Sequence, residues 1–286
     1  MNTLRRNILA TMLLAWGLAA TAATPDYWRS DSIKVVRLLR EAAKLDTTTN
    51  YMIHFGRQLR GLPYVGKTLE KNAEERLVVN LRQLDCTTYV ETVLALTLCM
   101  HQKTYTFDAF CRNLQQVRYR DGVVHYTNRL HYFTYWMDEN VRKGIVSHVN
   151  SPATIFAATQ TVKANYMTTH PQLYPMLVRH PEWMPAIRSM EQAITGQRYL
   201  YIPKSKLADS PALRRTIHDG DIIAILTSRQ GLDTSHIGIA VWHTDGLHLL
   251  NASSIHHKVV EEPKLFKTYM AEHRSHTGIR LVRVVQ

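Results

Sequence analysis

Cysteine is scarce. Three in 286 residues, Cys86, Cys99 and Cys111, are too few for a disulfide-built scaffold, so folding has to rest on an apolar core. Twelve glycines and ten prolines exclude a collagen-like repeat and a Pro/Gly-rich disordered chain. Acids are outnumbered, 23 against 35 Lys and Arg, for a net charge of +12. That balance favours an anionic partner and is silent on fold. The basic residues form no run beyond pairs such as Arg214-Arg215, so a nucleic-acid partner is not expected. No stretch after residue 22 is apolar and long enough to span a bilayer. Internal repeats are absent, as are His-Glu-x-x-His, Gly-x-Ser-x-Gly and Ser-x-x-Lys. What is present, 45% hydrophobic and 20% charged residues, is an ordinary globular composition.

The first 22 residues read as a secretory signal. Arg5 and Arg6 form a positive start, Ile8–Leu18 is an apolar run, and Ala20-Thr21-Ala22 offers a small-x-small cleavage site. No cysteine follows for lipid attachment. An exported protein of the periplasm or cell envelope is expected, with residues 23–286 as a single catalytic domain and a wall polymer rather than DNA or RNA as its anionic partner.

Apolar spacing predicts helix over 26–60, with Ile33, Val36, Leu38, Leu39, Ala42 and Leu45 as its stripe. Leu59–Val65 is a Gly/Pro-punctuated loop. A helix follows from the Cys86-Thr87 region, with Val90, Val93, Leu94 and Leu98 apolar, and another covers Phe107–Tyr119. These belong to an N-terminal helical part, 26–150. Four prolines between 171 and 185 mark 151–205 as a helical and loop-rich insert. Residues 206–286 switch to strand-like runs at Ile222–Leu226, Ile237–Trp242, Leu247–Leu250, Lys258–Val260 and Ile279–Val285, separated by turn signals. Helices first and strands later predict an α+β fold, one helix packed on a small antiparallel sheet or barrel.

Gly61-Leu-Pro-Tyr-Val-Gly66-Lys67-Thr68 matches a phosphate loop letter for letter. No apolar strand precedes it, and Pro63 removes an N–H that a phosphate cradle would use, so a nucleotide site is not expected. The stronger signal is Leu84-Asp85-Cys86-Thr87-Thr88-Tyr89-Val90-Glu91. A cysteine in the first turn of a helix faces converging N–H groups and the positive end of the helix dipole, which favour thiolate. Ser235-His236-Ile237-Gly238-Ile239-Ala240-Val241 puts a histidine at the mouth of an apolar strand. Antiparallel pairing with the next strand, Leu249-Leu250-Asn251-Ala252-Ser253, would let Asn251 orient that imidazole. Asn251-Ala-Ser is formally a glycosylation sequon, discounted because the segment reads as buried. Cys99 and Cys111 read as apolar fillers, with a bridge between them left open.

These motifs resemble the NlpC/P60 superfamily of cell-wall cysteine peptidases and amidases. Within it, the chain resembles the DUF1460 family, N-acetylmuramoyl-L-alanine amidase-like. The likeness runs over roughly residues 50–286. It includes Pro63-Tyr64-Val65, Leu84–Glu91, Asn128–Phe133, Met167–Pro171, Tyr201–Lys204 and Gly220–Ile223. The resemblance implies a papain-like core and hydrolysis of peptidoglycan or muropeptide amides by a monomer, with no cofactor and no catalytic metal. It maps the nucleophile to Cys86, the base to His236, the orienting group to Asn251 and an oxyanion-side hydroxyl to Tyr64. Relatives tend to carry histidine where this chain has Asn251. Asp85 and Ser235 would contact the substrate peptide. Arg129, His131, Tyr132 and Trp136 form a basic-aromatic cluster suited to a glycan–peptide cleft. Two other readings remain: cleavage of the γ-D-glutamyl–diamino acid bond, and a wall-binding module without catalysis.

Overall fold

The computed structural model describes residues 24–149 and 155–285; the expected export signal lies outside them. In chain order the elements are β1 (Asp26–Tyr27), α1 (Arg29–Ala42), α2 (Tyr51–Gln58), β2 (Val78–Val79), α3 (Cys86–His101), α4 (Phe107–Arg118), α5 (Phe133–Arg142), β3 (Val146–His148), β4 (Ala158–Thr161), α6 (Tyr166–Thr169), α7 (Pro175–Arg179), α8 (Met184–Ile194), β5 (Arg198–Pro203), α9 (Pro211–Thr216), β6 (Ile222–Thr227), β7 (Thr234–His243), β8 (Gly246–Ser253), β9 (Lys258–Glu261), α10 (Phe266–Glu272) and β10 (His276–Val284).

The architecture is α+β. Eight strands form an antiparallel sheet in the order β4-β5-β10-β6-β7-β8-β9, with β3 pairing along the other end of β10. Helix α3 is apolar on every side, with all of Thr88–Met100 buried, so it has to be enclosed. It lies between α1, α2 and α4 on one flank and β7 and β8 on the other. Along β6 the side chains alternate. Ile222 and Ala224 join the core around α3, while Ile223 and Ile225 join a second core under α9 and α10. The sheet is therefore covered on both faces, which is why its strands read as unbroken apolar runs.

The expected helix over 26–60 is two helices. Thr47-Thr48-Thr49 interrupts it, and Asn50 caps α2 by accepting the Ile53 N–H at 3.2 Å. The buried stripe of α1 is Val35, Leu38, Leu39 and Ala42, whereas Ile33 and Leu45 face solvent. The insert also departs from expectation. It contributes β4 and β5, which extend the main sheet at β10. β4, Ala-Thr-Gln-Thr, is too polar to stand out, and β5 follows the proline-punctuated stretch that read as helical. Gly278 permits the crossing, because a Cβ there would lie 2.3 Å from the Ile202 carbonyl. Around its helices the insert builds a third core from Tyr126, Tyr132, Met176, Ile187 and Met190. Gly61–Thr68 is a loop ending in a three-residue turn of helix at Thr68, not a strand–loop–helix cradle. Cys99 and Cys111 are separate free thiols in the core.

Candidate active site

Cys86 is the first residue of α3. Asp85 caps that helix: its Oδ1 accepts the Thr88 N–H at 2.8 Å, and Thr88 Oγ1 accepts the Asp85 N–H at 2.9 Å. The reciprocal pair fixes where the helix begins and hence where the thiol points. The N–H of Ile237, the residue after His236, is directed at Cys86, so the half-buried sulfur and the start of β7 meet. A bulge in the β6–β7 ladder falls at this point, between the pairs Ile225–His236 and Leu226–Thr234. Bulges of this kind re-aim strand-end side chains.

β7 and β8 pair antiparallel. His236 Nε2 lies 2.9 Å from Asn251 Oδ1. The amide is oriented from behind, since Asn251 Nδ2 donates to the Leu249 carbonyl at 3.3 Å. An oxygen only accepts, so Nε2 carries the hydrogen and Nδ1 keeps the lone pair, the form a proton acceptor needs. Gly238 keeps the hairpin close, because a Cβ there would stand 2.7 Å from the Leu249 side chain. Asn251 is 1% exposed, so water does not compete for its oxygen.

The electrostatics differ from what the helix dipole alone suggests. Burial, reinforced by the neighbouring Asp85 charge, pushes the Cys86 thiol up to about 12, against the pull of the Ile237 and Thr87 N–H groups. Burial also pushes His236 below its ordinary value, opposed by the Asn251 bond. Both directions favour an uncharged thiol beside an uncharged imidazole at rest. Tyr64 is carried to the site by a loop bridged on one side to Leu84 and on the other to β9, through Pro63 and Lys258. Burial, with Cys86 and Asp85 nearby, lifts its hydroxyl to about 12, so it remains a donor.

Asp85 and Thr87 open onto a pocket of about 210 Å³ whose far wall includes Arg129, His131 and Tyr174. The structure thus brings Asp85, Arg129 and His131 together. Arg129 is not a free cation: it is ion-paired with Glu70, faces Glu75 at 3.7 Å and covers the Tyr126 ring. His131 Nε2 donates to the Tyr126 carbonyl at 2.8 Å, and burial with Arg129 keeps it neutral. Tyr132 and Trp136 do not join them. Trp136 is fully buried and stacked on Phe133. The Tyr132 hydroxyl donates to Glu191 at 2.7 Å inside the insert. A side chain sealed in a core cannot stack on a sugar, so the expected aromatic platform is not formed by these two. Ser235 is exposed beside His236, its hydroxyl 3.4 Å from the Ile225 carbonyl.

Three groups near the site carried no motif. Tyr269 on α10 stands near Cys86, and burial raises its hydroxyl to about 12. Its ring lies 4.6 Å from that of His273, which stacks at 4.6 Å on His276. Burial and the nearby His273 and His236 push His276 down to about 4. The spacing Tyr269–His273 is one helical turn, the only hint the sequence held among fifteen histidines.

A family model described as AmiA-like, N-acetylmuramoyl-L-alanine amidase-like, matches residues 54–279, which includes every residue of this site. The chain belongs to this family. The AmiA-like chain is 39% identical to an N-acetylmuramoyl-L-alanine amidase from Bacteroides uniformis, whose crystal structure covers 82% of this chain and 98% of its own with a TM-score of 0.76. A Bacteroides fragilis protein named provisionally as a xylanase is 40% identical, covering 80% of this chain and 98% of its own, with a TM-score of 0.73. A Legionella pneumophila protein of the DUF1460 family model shares the fold at 19% identity and a TM-score of 0.71, over 90% of this chain and 95% of its own. No curated protein matches the AmiA-like chain. Family and relatives together support a cell-wall amidase-like hydrolase acting on a peptidoglycan-related substrate. No described helix is long and apolar enough to cross a membrane.

Proposed function

We propose that the protein is a cysteine amidase of the NlpC/P60 type, with a papain-like core, exported to the periplasm or cell envelope. In this reading it acts as a monomer on the amide joining the lactyl group of N-acetylmuramic acid to L-alanine. The observation that carries the reading is the contact between His236 Nε2 and Asn251 Oδ1, which leaves Nδ1 as base while Cys86, at the start of α3, faces the Ile237 N–H of the same strand as His236. Nδ1 takes the Cys86 proton as sulfur attacks the carbonyl carbon, so the charged pair forms only when substrate is engaged. The developing oxyanion is received by N–H groups at the start of α3 and by the Tyr64 hydroxyl, each such donor worth about 3 kcal/mol. His236 then protonates the leaving amine of L-alanine, the thioester remains on Cys86, and water activated by Nδ1 hydrolyses it. Asp85, Ser235, Arg129 and His131 are the proposed peptide contacts.

A glycosidase would need two uncommitted carboxylates facing one bond. Asp85 is engaged as a helix cap, and Glu91 is closed in an ion pair with Arg118 at 2.6 Å. Mass spectrometry of products from a defined muropeptide tests the proposal. Release of L-alanyl peptide, lost in Cys86→Ala, supports it. Cleavage after D-glutamate would move the bond, and full activity in Cys86→Ala would end the cysteine mechanism.

A further inference from the structure

The far end of the catalytic hairpin holds a cluster that the proposed reaction does not use. β7 ends at His243, Thr244 and Asp245 make the turn, and β8 starts at Gly246. The register pairs His243 with Gly246 and Val241 with His248. The two histidines are therefore diagonal neighbours on one face, with ring centres 4.3 Å apart. Asp245 closes the group from the turn. One ligand atom from each of His243, Asp245 and His248 lies within 4.8 Å of the others.

Hydrogen bonds decide which atoms are available. His248 Nδ1 is 2.8 Å from the Glu262 carbonyl. A carbonyl only accepts, so Nδ1 carries the hydrogen and Nε2 presents a lone pair. In the neutral ring Nε2 then faces Asp245 Oδ1 at 3.0 Å, a spacing that calls for a proton or a metal ion between them. His243 Nε2 donates to Glu261 Oε1 at 2.5 Å, which leaves Nδ1 as its lone pair. Glu261 is itself clamped by both arms of Arg57, at 2.8 and 3.0 Å. Each ring is thus oriented through its far nitrogen by a carbonyl or a carboxylate, as metal-binding histidines are. Two imidazole nitrogens and a carboxylate oxygen suit a borderline divalent ion. Around zinc they would sit about 3.3 Å apart at tetrahedral vertices, close to the separation that His248 and Asp245 already have.

We propose that His243, Asp245 and His248 bind Zn²⁺, with water completing the shell, and that the ion staples the β7–β8 turn. At about 3.3 Å per residue the site lies roughly 23 Å along β7 from His236, so its role is to stiffen the hairpin that aligns His236 with Asn251. The test uses the full chain carrying Cys86→Ala, which removes the competing thiol, stripped with chelator and titrated with Zn²⁺ by calorimetry and thermal unfolding. One equivalent should bind and raise Tm. His243→Gln and Asp245→Asn, whose side chains are 38% and 61% exposed and so leave the core intact, should each weaken binding at least 10-fold. Arg57→Gln, which removes the two-bond clamp on Glu261 and leaves Arg60 at 3.6 Å, should weaken it by about 10-fold. Parent affinity weaker than about millimolar, or unchanged binding in the His243→Gln/Asp245→Asn double variant, overturns the proposal. The first result would leave a proton, not a metal, between His248 and Asp245. The second would put the ion elsewhere.

Discussion

Asn251→Ala isolates the least conventional member of the proposed trio. Among the described residues, the substitution removes the only side-chain partner of His236 Nε2, a contact of 2.9 Å. The site around Asn251 is closed, with the residue 1% exposed, so water cannot easily replace the lost oxygen. An orphaned buried donor costs about 1–3 kcal/mol, and the dry surroundings place this one in the upper half of that range. If the whole loss falls on the transition state, kcat/KM drops roughly 30- to 150-fold, at 1.36 kcal/mol per tenfold. Because the amide orients the ring and does not touch substrate, the loss should appear in kcat with KM little changed. Asn251→Asp supplies a second readout. A carboxylate beside Nε2 stabilises imidazolium, so the His236 pKa rises and the acid limb of the pH profile moves to higher pH. Steady-state kinetics on a defined muropeptide from pH 4 to 9 measures both. Asn251→Ala with parental kcat and an unmoved profile would refute the reasoning.

The wild-type pH profile follows from two opposite shifts. In the proposed mechanism His236 is a neutral base, and its pKa is lowered by burial, so activity should persist below the ordinary imidazole range and fall only as that lowered pKa is crossed. The thiol is pushed up to about 12, so no rise from thiolate formation is expected between pH 7 and 10; a single-proton rise near 8 to 9 in kcat/KM would contradict it. Glu91→Ala should destabilise the fold by about 3–5 kcal/mol, because it strands Arg118, 2% exposed, without its counter-charge. Adding Arg118→Met should recover much of that, and urea unfolding that shows less than about 1 kcal/mol for Glu91→Ala would count against a tight buried pair.

Each member of the proposed trio stood out by its place in an apolar element. Cys86 follows a capping aspartate and opens an apolar helix, while His236 and Asn251 fall on successive strand-like runs. The α+β order was legible too, since the run at Ile222–Leu226 has no other reading beside regular turn signals. The ring contacts around the site were not. Tyr269, His273 and His276 come from α10, the turn after it and the start of β10, and only the tertiary fold brings them to Cys86 and His236. Trp136 and Tyr132 were misplaced because a basic-aromatic segment has the same composition whether its rings face a cleft or a core. β4 escaped because a polar edge strand carries little apolar signal, and β5 because the prolines before it marked the whole stretch as helix and loop. The uncharged state of the thiol is a consequence of burial, and burial does not belong to the local sequence around Cys86.

Leu173 and Tyr174, from the insert, close one side of the pocket beside Asp85, and Lys67 reaches across to the Leu173 carbonyl at 3.1 Å. The segment that supplies this wall is packed around its own kernel of Tyr132, Met176 and Met190. The alignment of His236 with Asn251, by contrast, comes from a strand pair in the main sheet. The two can therefore diverge independently: trimming or rebuilding residues 171–179 would recut the lock without disturbing the bolt.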